Sequence, residues 1–243
     1  MQMDGRGDKK TEGEAARASA VAWDVKITLR SYLSTNHLYA AYCFTEDAKR
    51  SEVDLASVGT VIGMRHRAYI LGAITEAVAL IESAINEIYQ DVAEGVGSYS
   101  ESVAPEFREA MKLVWESVGN RAPILDKYNM ALAITGNEIL AKGAAPYQAA
   151  KKLIDLRNYG VHYKPHDRTS DNPHRHEKAL RGEFSDNPLM AGSGNPWFPD
   201  HALGSACAEW AWRSARALAD EFALRTGVTL SYTYAGKEHP LPC

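Results

Sequence analysis

Arg157, Asn158 and His162 stand within six positions of a 243-residue chain, in the order Arg-Asn-x-x-x-His. Those residue types can cut RNA without a metal. The reaction needs a base for the ribose 2′-hydroxyl, an acid for the leaving 5′-oxygen, and a cation for the charge growing on the phosphorus oxygens. Histidine suits the proton transfers because its ordinary pKa, about 6.5, lies near neutral pH. Arginine suits the phosphate because its planar fork donates two parallel hydrogen bonds and keeps its charge. In this scheme His162 handles the proton, Arg157 holds the scissile phosphate, and Asn158 orients His162 or contacts the ribose phosphate. The spacing sets a condition. In an unbroken helix, residues five apart point about 140° away from each other. Gly160 weakens the helix, and Pro165 pushes Lys164 out of the helical region. The helix is therefore expected to fray or close between Gly160 and Lys164, where the chain can bring Arg157 and His162 together. Tyr163, Lys164 and His166 follow and could line the resulting cleft.

Several helices must position this corner. Ile70, Ile74, Val78, Ile81, Ile85 and Ile88 recur at three- and four-residue steps without a proline, and Gly95 and Gly97 follow, so Met64–Glu94 reads as a helix. Glu82 and Asn86 flank its apolar stripe. Val21, Val25, Leu29 and Leu33 predict an earlier helix over 21–45, with 45–63 a polar connection holding at most a short helix. Pro105 fits the first turn of a helix ending near Val118, and a shorter one is expected over 124–135. Pro146 opens the motif helix, with Tyr147, Ala150, Leu153, Ile154 and Val161 as its candidate inner face. The 166–200 stretch is polar and rich in Asn, Pro and Gly, with a short helix over 175–184. Its Leu189, Trp197 and Phe198 predict a long ordered loop that folds back and packs. His201–Gly227 reads as the last long helix.

Residues 1–19 read as a disordered tail, 20–227 as the helical domain and 228–243 as an extended tail. In that first segment Arg6-Gly7-Asp8 reads as part of a solvated tail. The net charge is -4, which excludes a uniformly basic surface. Positive charge nevertheless gathers near the motif: nine Lys/Arg against four Asp/Glu lie between Lys142 and Arg181. Three cysteines, far apart and never in a CxxC pair, fit a reducing compartment. No apolar run of signal-peptide or membrane-spanning kind stands out, so a soluble cytoplasmic protein without a membrane partner is expected. Cofactors and metals are not expected either. His174 and His176 could join His166 or His201 on a metal, but acidic or cysteine ligands at a recognised spacing are lacking. Cys207 reads as a small packed hydrophobe, and Trp197, Trp210 and Trp212 as packing residues rather than base-stacking platforms.

Arg157-Asn158-x-x-x-His162, closing a late helix in a helical chain, resembles the ribonuclease motif of the HEPN superfamily: Arg, a polar residue, then His. The resemblance covers roughly residues 60–225 and is carried by the motif and the helix order. It implies an all-α bundle of about six helices and a metal-independent endoribonuclease, plausible as a toxin or phage-defence effector. It also implies a homodimer whose two motifs share one cleft, an RNA substrate, and an antitoxin or defence-system partner protein. HEPN bundles commonly keep an acidic residue near the active-site arginine, and Glu82 is the candidate for it. Other HEPN domains have lost catalysis, so a module binding RNA, a nucleotide or a protein stays open, as does a structural dimerisation unit. A helix-terminal Arg and His are also favourable near the negative end of the helix dipole whatever the function. Arg157 could simply pair with Asp155, Glu82 or a carbonyl.

Overall fold

The isoleucine ladder of Met64–Glu94 forms a 31-residue helix that supplies more of the buried core than any other element. In this computed structural model, residues 29–59, 63–165 and 173–235 are described. Two units divide the chain, Met1–Arg30 and Ser31–Cys243, and every described helix belongs to the second. The helices are α1 (Ser34–Ser57), α2 (Met64–Glu94), α3 (Gly97–Ser102), α4 (Pro105–Val118), α5 (Ile124–Ile134), α6 (Tyr147–Val161), α7 (Arg175–Leu180), α8 (Ser205–Thr226) and α9 (Tyr232–Ala235). The fold is all-α, and six of these helices run 11 residues or longer. Among the described residues there is no β-strand.

α2 lies at the centre, packed by α1 and α8 and flanked by α3, α4, α5 and α6. Its length and apolar composition, with a mean hydropathy of 1.6 over 18 residues, would let it cross a membrane. Half of that window is buried in the bundle, which accounts for the same composition. Its polar side chains engage neighbouring elements. Glu76 meets His37 at 2.6 Å, and Asn86 accepts from the buried Lys127 Nζ at 2.7 Å. Asp91 accepts from the Tyr32 hydroxyl at 2.7 Å.

Two carboxylates join α1, α2 and α8: one from α2 caps the start of α1, and one from α1 caps the start of α8. Glu87 of α2 accepts from the amides of Leu33 and Ser34 at 2.7 and 2.8 Å and from the Ser34 hydroxyl at 2.7 Å. Glu52 of α1 does the same for α8, accepting from the Ser205 amide and hydroxyl, both at 2.6 Å. A helix start leaves amide N–H groups without intrahelical partners and carries partial positive charge, so a carboxylate satisfies both demands at once.

The first cap corrects the expected start of α1. The helix read over 21–45 begins at Ser34 within the described residues, Leu29 is 87% exposed, and 21–28 lie outside them. The supposed connection after Thr45 is helix as far as Ser57. Thr45 is buried with its hydroxyl donating to the Ala41 carbonyl at 2.8 Å, and Glu52 is buried through its cap. Polar residues there mark internal partners rather than solvent. At the other end, α8 begins at Ser205 instead of His201. The 228–243 stretch, read as an extended tail, docks as far as Tyr232: Val228, Leu230 and Tyr232 are buried. Tyr232 donates to Asp220 at 2.6 Å, and α9 follows. Residues 236–243, like 1–28, lie outside the described residues.

Gly97 carries a testable local demand. Its φ is +78°, and an added Cβ would lie 2.2 Å from Asp91 Oδ2. That carboxylate is held by Tyr32 and by the Tyr99 amide, so it has little room to retreat. Gly97→Ala is expected to lower the unfolding free energy by about 1–3 kcal/mol, read from urea denaturation.

Candidate functional site

α6 buries Tyr147, Ala150, Leu153 and Leu156 against α2 and α8. Val161, expected on the inner face, is 61% exposed, because α6 runs past the edge of the core before it stops. The helix closes at His162, which has φ -103° and ψ 32° and whose amide donates to the Asn158 carbonyl at 2.9 Å. Closure after Gly160 is where Gly160 and Pro165 place it. The consequence for the motif differs from the expected convergence. Because α6 stays regular through Val161, the five-residue rotation of about 140° is kept, and Arg157 and His162 leave the helix on different sides.

Arg157 lines a cavity of about 510 Å³ between α2, the end of α6 and the 198–203 segment. Ile74, Leu156, Phe198 and Leu203 form its buried wall, with Leu71 and Tyr163 at more exposed positions. The Arg157 side chain is 26% exposed, and its Nη2 stands 3.7 Å from Glu82 Oε2. The anticipated acidic residue and the motif arginine are thus neighbours. Their separation is an ion-pair distance, too long for a hydrogen bond. Glu82 also acts on Lys127: burial lowers the pKa of that ammonium, and the Glu82 charge opposes the shift. One carboxylate therefore serves two cations.

The other anticipated residues divide between cavity and solvent. Tyr163 lines the cavity and meets Tyr159 edge to face at 5.5 Å between ring centres. Asn158, His162 and Lys164 are exposed and outside the cavity lining. His166 lies outside the described residues. Two cavity residues had no signal in the sequence, Arg67 and Asp200, which are 133 positions apart. Arg67 Nη2 donates to Asp200 Oδ1 at 3.0 Å, and Nη1 donates to the Pro199 carbonyl at 3.5 Å. Only the folded loop brings them together.

That loop packs as its apolar residues require: Leu189, Trp197 and Phe198 are buried. Asn187 ties it down. Its side-chain amide donates to the carbonyls of Asp200 and Leu203 at 3.3 and 3.2 Å, and its carbonyl oxygen accepts from the Leu189 amide at 3.1 Å. His174 and His176 join a ring cluster with Tyr159 and Phe198, at centroid distances of 4.8 to 5.4 Å. Among the described residues no group of three His, Cys, Asp or Glu side chains converges as a metal site would require. Cys207 is buried in α8, where burial pushes its thiol pKa well up. Trp197 and Trp212 are buried, and Trp210 is partly so.

No protein-family model matches the chain, and neither does any curated protein or solved structure.

Proposed function

We propose that this chain is a metal-independent endoribonuclease of HEPN type, acting as a cytoplasmic homodimer in the role of a toxin or phage-defence effector with a protein partner. The observation that carries the reading is the state of the motif. Arg157 is accessible, held by Glu82 at ion-pair distance and donating no hydrogen bond to a described residue, while His162 is exposed at the helix exit. Both groups can reach a substrate. Since they leave α6 on different sides, the productive pair is Arg157 of one protomer with His162 of the other. Leu71 and Val161 offer exposed apolar surface beside Arg157 for a second protomer to cover. Arg157 then binds the scissile phosphate, His162 moves the proton, Asn158 contacts the ribose phosphate, and Tyr163, Lys164 and His166 line the groove.

Purified protein is expected to cleave single-stranded RNA in EDTA, leaving 2′,3′-cyclic phosphate ends. A folded dimer that leaves RNA intact ends this reading. Binding without cleavage would instead favour a non-catalytic module, which the separation of Arg157 and His162 within one chain also supports. Neither binding nor cleavage would leave a structural dimerisation unit.

A further inference from the structure

The cavity beside Arg157 has features that the nuclease reading does not use. Its volume of about 510 Å³ is that of a small-ligand site rather than of a packing defect. Its buried wall is apolar. Thr75 adds little polarity, because its hydroxyl already donates to the Leu71 carbonyl at 2.8 Å.

Two guanidinium groups reach this space, and they differ. Arg67 is engaged by Asp200 and the Pro199 carbonyl. Arg157 donates no hydrogen bond to any described residue, and its nearest carboxylate, Glu82, stands 3.7 Å away outside the lining. The cavity thus presents one cation, beside an apolar chamber, that has an ion-pair neighbour but no hydrogen-bond acceptor among the described residues. Because Arg67 is already paired with Asp200, only Arg157 is left to answer added negative charge, which favours a monoanion over phosphate monoesters and other dianions. A neutral hydrocarbon would fill the chamber but give the Arg157 fork no hydrogen-bond acceptor.

We infer that the cavity is a binding site for a small apolar carboxylate, its carboxylate paired with Arg157 and its hydrocarbon body against Ile74, Leu156 and Phe198. This goes beyond the nuclease reading and does not depend on it. If both hold, the ligand and the scissile phosphate compete for Arg157.

Calorimetric titration of the full chain with 2-naphthoate and with its neutral isostere 2-naphthamide tests the inference. Naphthoate is expected to bind once per chain. Arg157→Gln should weaken it by about 10- to 100-fold, the span of a charged hydrogen-bonded contact, and leave the amide within about threefold. Thr75→Trp, at an exposed position on the rim, should exclude both compounds by filling the chamber. Thermal unfolding of each variant confirms folding. Absent or non-saturable naphthoate binding overturns the inference, as does equal weakening of acid and amide by Arg157→Gln, or binding that survives Thr75→Trp. The readout is binding alone, so it is decided separately from RNA cleavage.

Discussion

His162→Ala is expected to lower RNA cleavage by about 10²- to 10⁴-fold, the span of positioned acid–base catalysis, while leaving the thermal midpoint unchanged. The two halves of that expectation have different causes. His162 is exposed and makes no side-chain hydrogen bond to a described residue, so truncation removes nothing the fold relies on. In the proposed reaction its imidazole is nevertheless the motif's only proton-transfer group. Arg157→Ala should be comparably inactive through loss of charge stabilisation at the phosphate. A mixing experiment separates the geometry from the chemistry. If Arg157 and His162 act across a dimer, mixing the two inactive variants reconstitutes one complete site in each mixed dimer. With random exchange about a quarter of wild-type activity should return. If the pair acts within one chain, nothing returns, and the arrangement across protomers is wrong, a result that does not bear on whether the wild type cleaves RNA.

The second large effect is on stability. Glu52→Ala is expected to cost about 3–5 kcal/mol in urea unfolding, as loss of one partner from a buried charged network does. Glu52 joins α1 to α8 through the Ser205 amide and hydroxyl and meets His66 Nε2 at 3.0 Å. Truncation leaves those buried groups unpaired at the start of a 22-residue helix. The same site predicts a pH dependence. Burial acts to raise the Glu52 pKa, but the hydrogen bonds from His66 and from Ser205 outweigh it and hold the carboxyl below its ordinary value. A carboxyl with a depressed folded-state pKa stabilises the protein above its unfolded-state pKa. That contribution is lost as pH falls through the folded-state value. Stability should therefore decline below about pH 4.5, and Glu52→Gln should flatten that part of the profile. An unaltered acid limb in Glu52→Gln would assign the decline to other groups.

The strongly periodic elements were legible because an apolar stripe with punctuated ends has few alternatives. α2 matches its expected bounds, and α4 runs from Pro105 to Val118 as its proline implies. The loop's burial followed from three large apolar residues in a polar stretch. The start and length of α1 were not legible, because they depend on Glu87 and Glu52. Those carboxylates act on residues tens of positions away, and a local reading treats such polar side chains as solvent-facing. The site was partly legible. Glu82 stands beside Arg157, but Arg67 and Asp200 carry no motif and meet only through the folded loop.

Local interactions sufficed for the helical class, the apolar faces and the closing of α6 at Gly160–Pro165, because backbone preference and apolar period act over a few residues. The tertiary structure decided where α1 begins and what Arg157 faces. Those outcomes depend on which helix a side chain meets, and packing of distant segments sets that.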